Sequence, residues 1–143
     1  MRTVYIHGAT ASERSFAFIQ ASTGAANPVF LNYEKEGYAK DNLARMAEIL
    51  NGITGPFFIV AHSLGGIYAT YLQQEFDNIQ GVVSLATPFN GSEIATWGAM
   101  FNPGYQLFKD ISPLSDFIKT SRKTEITVPW IQVVTTVGDV PVK

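Results

Sequence analysis

The stretch Pro56-Phe57-Phe58-Ile59-Val60-Ala61-His62-Ser63-Leu64-Gly65-Gly66-Ile67-Tyr68 constrains the fold of this chain more than any other. The run Phe57 to Val60 is continuously apolar, as a short buried strand requires, and it passes without a break into small residues. Beyond that corner Leu64, Ile67, Tyr68, Tyr71, Leu72 and Phe76 recur at helical spacing on one broad face. A strand that turns abruptly into a helix leaves little room where the two nearly touch. A side chain larger than that of Ala61, or any side chain at Gly65, would crowd the turn.

The corner also carries chemistry. Ala61-His62-Ser63-Leu64-Gly65 has the small-x-Ser-x-Gly form of a nucleophile elbow, with Ala in place of the first Gly. Such a turn lifts the hydroxyl clear of the sheet edge and aims it at solvent. Leu64 then offers its backbone N–H beside the hydroxyl, at a helix N-terminus whose dipole favours a developing negative charge. Short patterns of this kind also occur in ordinary strand-to-helix turns. Here the flanking strand and helix that the motif demands are both present.

With 143 residues, 46% of them apolar, the chain suits a single domain with a sizeable core. A net charge of −2 and the lack of any Lys/Arg cluster argue against nucleic acid as a partner. No cysteine is present, which excludes disulfides, thiolate catalysis and Cys-type metal sites within these residues. Two histidines make a dedicated zinc site a poor expectation, and no other cofactor or metal is expected. The N-terminus enters directly on a strand without a charged-then-apolar leader, so the chain as given reads as soluble and cytoplasmic, with no transmembrane segment. A leader already removed would leave no trace.

Along the chain, Arg2 to Ile6 reads as a strand ending at His7-Gly8. Thr10 and Glu13 form a capping-box pair, which predicts a helix from near Ala11 with Phe16 and Ile19 turned inward. Asn27-Pro28 marks a turn before a second buried strand, Val29 to Tyr33. A helix from about Tyr38 to Leu50 follows, with Ala39, Leu43, Met46, Ala47 and Leu50 at helical spacing and Gly52 as its stop. Gln80 to Ala86 predicts the fourth strand and Trp130 to Val137 the last. Strands and helices alternating at these lengths imply an α/β fold with a parallel sheet and helices on both faces. The regularity lapses over about 89–128, among Trp97, Met100, Phe101, Leu107, Phe108, Leu114 and Phe117. So long a connection is either a lid-like insertion or an aromatic cover for one sheet face. The expected organisation is one domain, 1–143, with that insertion.

These residues resemble the α/β-hydrolase superfamily, and within it the small lipases and lipase-like esterases. His7-Gly8 is similar to the family's His-Gly oxyanion motif, and Ala61-His62-Ser63-Leu64-Gly65-Gly66 to its Ala-His-Ser-x-Gly-Gly elbow. Thr87-Pro88-Phe89-Asn90-Gly91-Ser92 resembles its Thr-Pro-x-x-Gly-Ser loop. The resemblance implies a three-layer α/β sandwich, mostly parallel and C-terminally incomplete, with strand order second, first, third, fourth, fifth. It implies Ser63 as nucleophile, the backbone N–H groups of Ala9 and Leu64 as oxyanion donors, and structural roles for His7 and His62. The implied activity is cleavage of a carboxylic acyl ester or lipid through an acyl-enzyme; a thioesterase or peptidase would share the elbow.

One part of the pattern is missing. The superfamily order is Ser, acid, His, and no histidine follows Ser63 in these residues. Asp139, just past a predicted strand end, stands where the acid is often kept, and it also fits an ordinary Gly-Asp turn. Glu93, Asp110 and Asp116 read as surface charges of the insertion. The chain is then either part of a longer enzyme whose remainder carries the base, which the intact upstream elements favour, or a degenerate homologue kept as a binding or interaction domain. As the chain stands, Ser63 is expected to be exposed at its strand end.

Overall fold

In chain order the elements are β1 (Arg2–Ile6), α1 (Ala17–Thr23), β2 (Val29–Leu31), α2 (Ala39–Asn51), β3 (Phe57–His62), α3 (Leu64–Glu75), β4 (Ile79–Leu85), α4 (Gln106–Asp110), α5 (Asp116–Lys123) and β5 (Trp130–Val133). They come from a computed structural model that describes residues 2–8, 16–24, 27–33, 37–89 and 106–134. The strands form one parallel sheet in the order β2-β1-β3-β4-β5, as expected, with the elbow strand β3 at its centre. The register puts Val4, Ile59 and Val82 in one row and Tyr5, Val60 and Val83 in the next, on opposite faces. Gln80 is bulged out of β4, since Phe57 and Phe58 pair with Ile79 and Gly81.

The first face is the deeper one. Val4, Ile6, Leu31, Ile59, Ala61 and Val82 are buried on it beneath α3, with α2 packed alongside that helix. Nearly the whole of α3 from Leu64 to Gln73 is buried rather than one stripe of it. Each large aliphatic side chain sunk there contributes about 1.5–3 kcal/mol of transfer free energy. Gln73 is buried with its amide satisfied: its Nε2 donates to the Glu125 carbonyl at 2.7 Å, and its Oε1 accepts from Thr127 N–H at 2.9 Å. That exchange ties α3 to the approach to β5.

Several boundaries differ from the sequence reading. The second strand ends at Leu31, and Tyr33 leaves the sheet to pack on His7. The first helix is observed from Ala17, with Phe16 buried against Tyr5, while Thr10 and Glu13 lie outside the described residues. Gly52 does end α2, but with right-handed φ, so no left-handed cap is involved. Asn42, not Leu43, is fully buried on α2, because its Nδ2 finds the Tyr68 hydroxyl at 3.2 Å.

The described part of the 89–128 connection contains two short helices, α4 and α5, and contributes to the core through Leu107, Ile111 and Ile118. Phe117 stacks on Tyr71 with centroids 4.8 Å apart. Asp110 is not the surface charge expected: its carboxylate accepts from the Ala39 N–H at 2.8 Å and so caps α2 from outside that helix. Tyr38, at the capping position, has no oxygen to serve there by a local bond, which explains why a distant acid is used. No helix among the described residues is long and apolar enough to cross a membrane.

Candidate active site

Ser63 is the single residue between β3 and α3, at φ 51° and ψ −121°. A non-glycine residue held there costs about 1–3 kcal/mol and persists only where its surroundings over-determine it. The surroundings do so. The Ser63 N–H donates to the Leu85 carbonyl at 2.9 Å, and its carbonyl accepts from the Gly66 N–H at 3.0 Å. A Cβ on Gly65 would lie 2.3 Å from the Ile6 carbonyl oxygen, and one on Gly66 would lie 2.1 Å from Thr87 Oγ1. A Cβ on Gly8 would lie 2.8 Å from His62 Nδ1 and 3.3 Å from Ser63 Cβ. The chain segments leaving β1, β3 and β4 therefore meet at this corner in direct contact.

The closeness corrects one expectation. Ser63 was expected exposed, yet it is only 7% accessible. Gly8 passes beside its Cβ, and Leu64, Gly65 and Gly66 beneath it are all buried. Leu64 opens α3, so its N–H is among those a helix start leaves without an internal acceptor. Ala9 and Asp139, the other residues the sequence singles out, lie outside the described residues.

His7 is buried and turned to its own loop, with Nδ1 2.7 Å from the Gly8 carbonyl oxygen. Its ring stacks on Tyr33, centroids 4.4 Å apart and planes 14° from parallel. The Tyr33 hydroxyl donates to the His7 carbonyl at 3.0 Å. Tyr33 in turn meets Tyr68 edge-on at 5.0 Å, and Tyr68 leads to Phe117. Burial pushes the Tyr33 phenol well above its ordinary range, and the neighbouring Tyr68 adds to it. Burial raises Tyr68 as well, against a smaller opposing effect of the Asn42 hydrogen bond. Sequence reasoning missed Tyr33; its one signal is a large aromatic standing two residues past the last strand residue.

Two recesses flank α3. One of about 500 Å³ lies between α2 and α5 and is floored by Leu43, Tyr71 and Phe117, with Lys40 and Asp116 at its rim. The other, about 380 Å³, lies among Thr70, Phe89, Ile126 and Trp130. Neither includes Ser63.

No protein-family model matches the chain, and no curated protein sequence does. Solved structures do. The lipase BlEst2 of Bacillus licheniformis in its mature form superposes with a TM-score of 0.66 at 19% identity, over 92% of this chain and 64% of that one. A metagenomic carboxyl esterase gives 0.69 at 14% identity, over 94% and 49%. The monoacylglycerol lipase of Paleococcus ferrophilus gives 0.63 at 14%, over 93% and 72%. This chain thus spans roughly half to two thirds of the first two enzymes' length.

Proposed function

The chain has the α/β-hydrolase fold, and we propose that it carries the nucleophile and oxyanion side of a serine hydrolase of the lipase/esterase type. Ser63 attacks the ester carbonyl and becomes acylated; the alkoxide leaves with a proton, and water then hydrolyses the acyl-enzyme. The Leu64 N–H, joined by that of Ala9, takes the charge that develops on the carbonyl oxygen. The observation that carries this reading is the strained backbone of Ser63 at the start of α3, set in a corner where Gly65 and Gly66 leave no space for a side chain. Folded proteins do not keep such strain at an ordinary turn without reason.

The base is a histidine outside these 143 residues, in the remainder of a longer enzyme, because His7 is engaged with Gly8 and Tyr33 and no histidine follows Ser63. Asp139 is the candidate acid by position alone. The apolar and aromatic residues of the 89–128 connection favour a neutral, fairly apolar acyl ester or lipid as substrate. The esterase and lipase activities named for the superposed structures agree with that class.

The test is turnover of p-nitrophenyl acyl esters by the protein at the length its reading frame encodes. Activity that disappears in Ser63→Ala supports the mechanism, and equal activity in the variant rules it out. The competing reading, a binding domain that has lost its base, predicts an encoded protein without a downstream histidine and without turnover.

A further inference from the structure

We infer that Thr87 is a positioning residue for the nucleophile, a wedge that fixes the first turn of α3. The inference rests on the serine-hydrolase reading above and gives the Thr-Pro segment after β4 a task in it. In the register of β3 and β4, His62 pairs with Leu85, so Ser63 and Ala86 are the next residues along neighbouring strands. Both take φ 51°, which costs a non-glycine residue free energy unless its contacts impose it. Hydrogen bonds tie the two corners together and to β5. The Ser63 N–H donates to the Leu85 carbonyl at 2.9 Å, and the Ala86 N–H donates to the Val133 carbonyl at 2.9 Å.

Beyond its corner the chain brings Thr87 onto Gly66. A Cβ on Gly66 would lie 2.7 Å from Thr87 Cγ2 and 2.8 Å from Thr87 Cβ, so turning the threonine about χ1 would not make room. Thr87 therefore fills the space that a side chain at position 66 would need. At the neighbouring position Gly65 lies against the Ile6 carbonyl, so the turn that carries Ser63 and Leu64 is held from β1 and from β4 at once. The wedge is itself held. The Thr87 carbonyl accepts from the Phe89 N–H at 3.1 Å and from Gln132 Nε2 at 3.3 Å, and Phe89 meets Trp130 edge-on at 5.7 Å. Thr87 Oγ1 is buried without a hydrogen-bond partner, so the side chain acts through its shape and not through a bond. A nucleophile and an oxyanion donor must point at the substrate carbonyl before charge develops, so a loosened turn lowers rate more than binding.

The experiment compares wild type with Thr87→Val, Thr87→Ser, Thr87→Ala and Ser63→Ala, in the protein at the length its reading frame encodes. Turnover of a p-nitrophenyl acyl ester gives kcat and KM, and amide hydrogen exchange of peptides covering residues 63–66 reports the turn itself. Thr87→Val keeps the branched shape and removes only the unpartnered hydroxyl. It should hold kcat within about twofold and melt no lower than wild type. Thr87→Ser keeps the hydroxyl and loses the methyl group that lies against Gly66. It should lower kcat about fivefold, and Thr87→Ala about twentyfold, each at a KM within about twofold of wild type. Exchange at Ser63 and Gly66 should quicken in both and stay unchanged in Thr87→Val. With Ser63→Ala inactive, wild-type kcat and exchange in Thr87→Ser and Thr87→Ala would overturn the inference and leave the serine reading standing. Slowing of Thr87→Val as large as that of Thr87→Ala would overturn it too, because the hydroxyl and not the shape would then matter. Full activity in Ser63→Ala, or none in wild type, would overturn the serine reading, and the inference falls with it.

Discussion

On the second face of the sheet, Tyr5 lies between Phe16 and Phe30, with ring centroids 5.0 and 5.2 Å away, and is buried. Farther across the same face, Phe58 is 44% exposed, Ile131 64% and Val133 46%. The register shows that they share one surface, because Tyr5 pairs with Val60, Val60 with Val83 and Val83 with Ile131. Parallel sheets are normally covered on both faces. The β1–β2 side is closed over Tyr5 by Phe16 and Phe30, and exposure begins at Phe58 of β3. The β4–β5 side presents aliphatic groups to water, and its edge strand, Trp130 to Val133, has no charged residue to discourage pairing. Among the described residues, close contacts are therefore concentrated around Tyr5 and Ser63, and the β4–β5 side has less apolar cover.

That contrast predicts very unequal responses to substitution. Gly65→Ala should have the largest effect, because the added methyl meets the backbone carbonyl of Ile6, which has no side-chain freedom to yield. We expect a loss above about 3 kcal/mol, or failure to fold, measured by urea denaturation. A stability within 1 kcal/mol of wild type would mean that the corner is looser than its contacts indicate.

The closed side should also show in alkaline unfolding. Burial raises the folded-state values of both Tyr33 and Tyr68 above the ordinary phenol value of about 10. Their contribution is fully present below pH 10 and declines as pH rises above the unfolded value toward the folded ones. Each should steepen the fall by about 1.4 kcal/mol per pH unit. Tyr68→Phe should make that slope shallower by up to one such increment, read from urea midpoints between about pH 10 and about pH 11.5; an unchanged slope would contradict the burial.

On the open side, Ile131→Thr should change stability by less than about 0.5 kcal/mol, since the side chain is already in water. A loss near 2 kcal/mol would show that something covers this face in solution.

The contrast also explains what could be read ahead of the structure. Apolar runs at β3 and β4, the small residues at 61, 65 and 66, and the alternation of elements are local signals, and the strand order followed from them with the family likeness. Tyr33, Asp110 and Gln73 gave no such signal. Their partners lie 26, 71 and 52 positions away, at His7, Ala39 and Glu125. A lone Asp in a connection reads as a solvated charge until the fold brings a helix start beside it. The low exposure of Ser63 has a similar cause: among the described residues Gly8, from the end of β1, passes beside its Cβ.

The role of Ser63 is tested most directly by peptide mapping after treatment with a fluorophosphonate, with imidazole added at increasing concentration as a soluble substitute for the base. A single adduct on the peptide containing Ser63, forming faster with imidazole and missing in Ser63→Ala, is the predicted result, since a hydroxyl without a proton acceptor is a weak nucleophile. An adduct on another serine such as Ser84, or labelling that persists in Ser63→Ala, would contradict it.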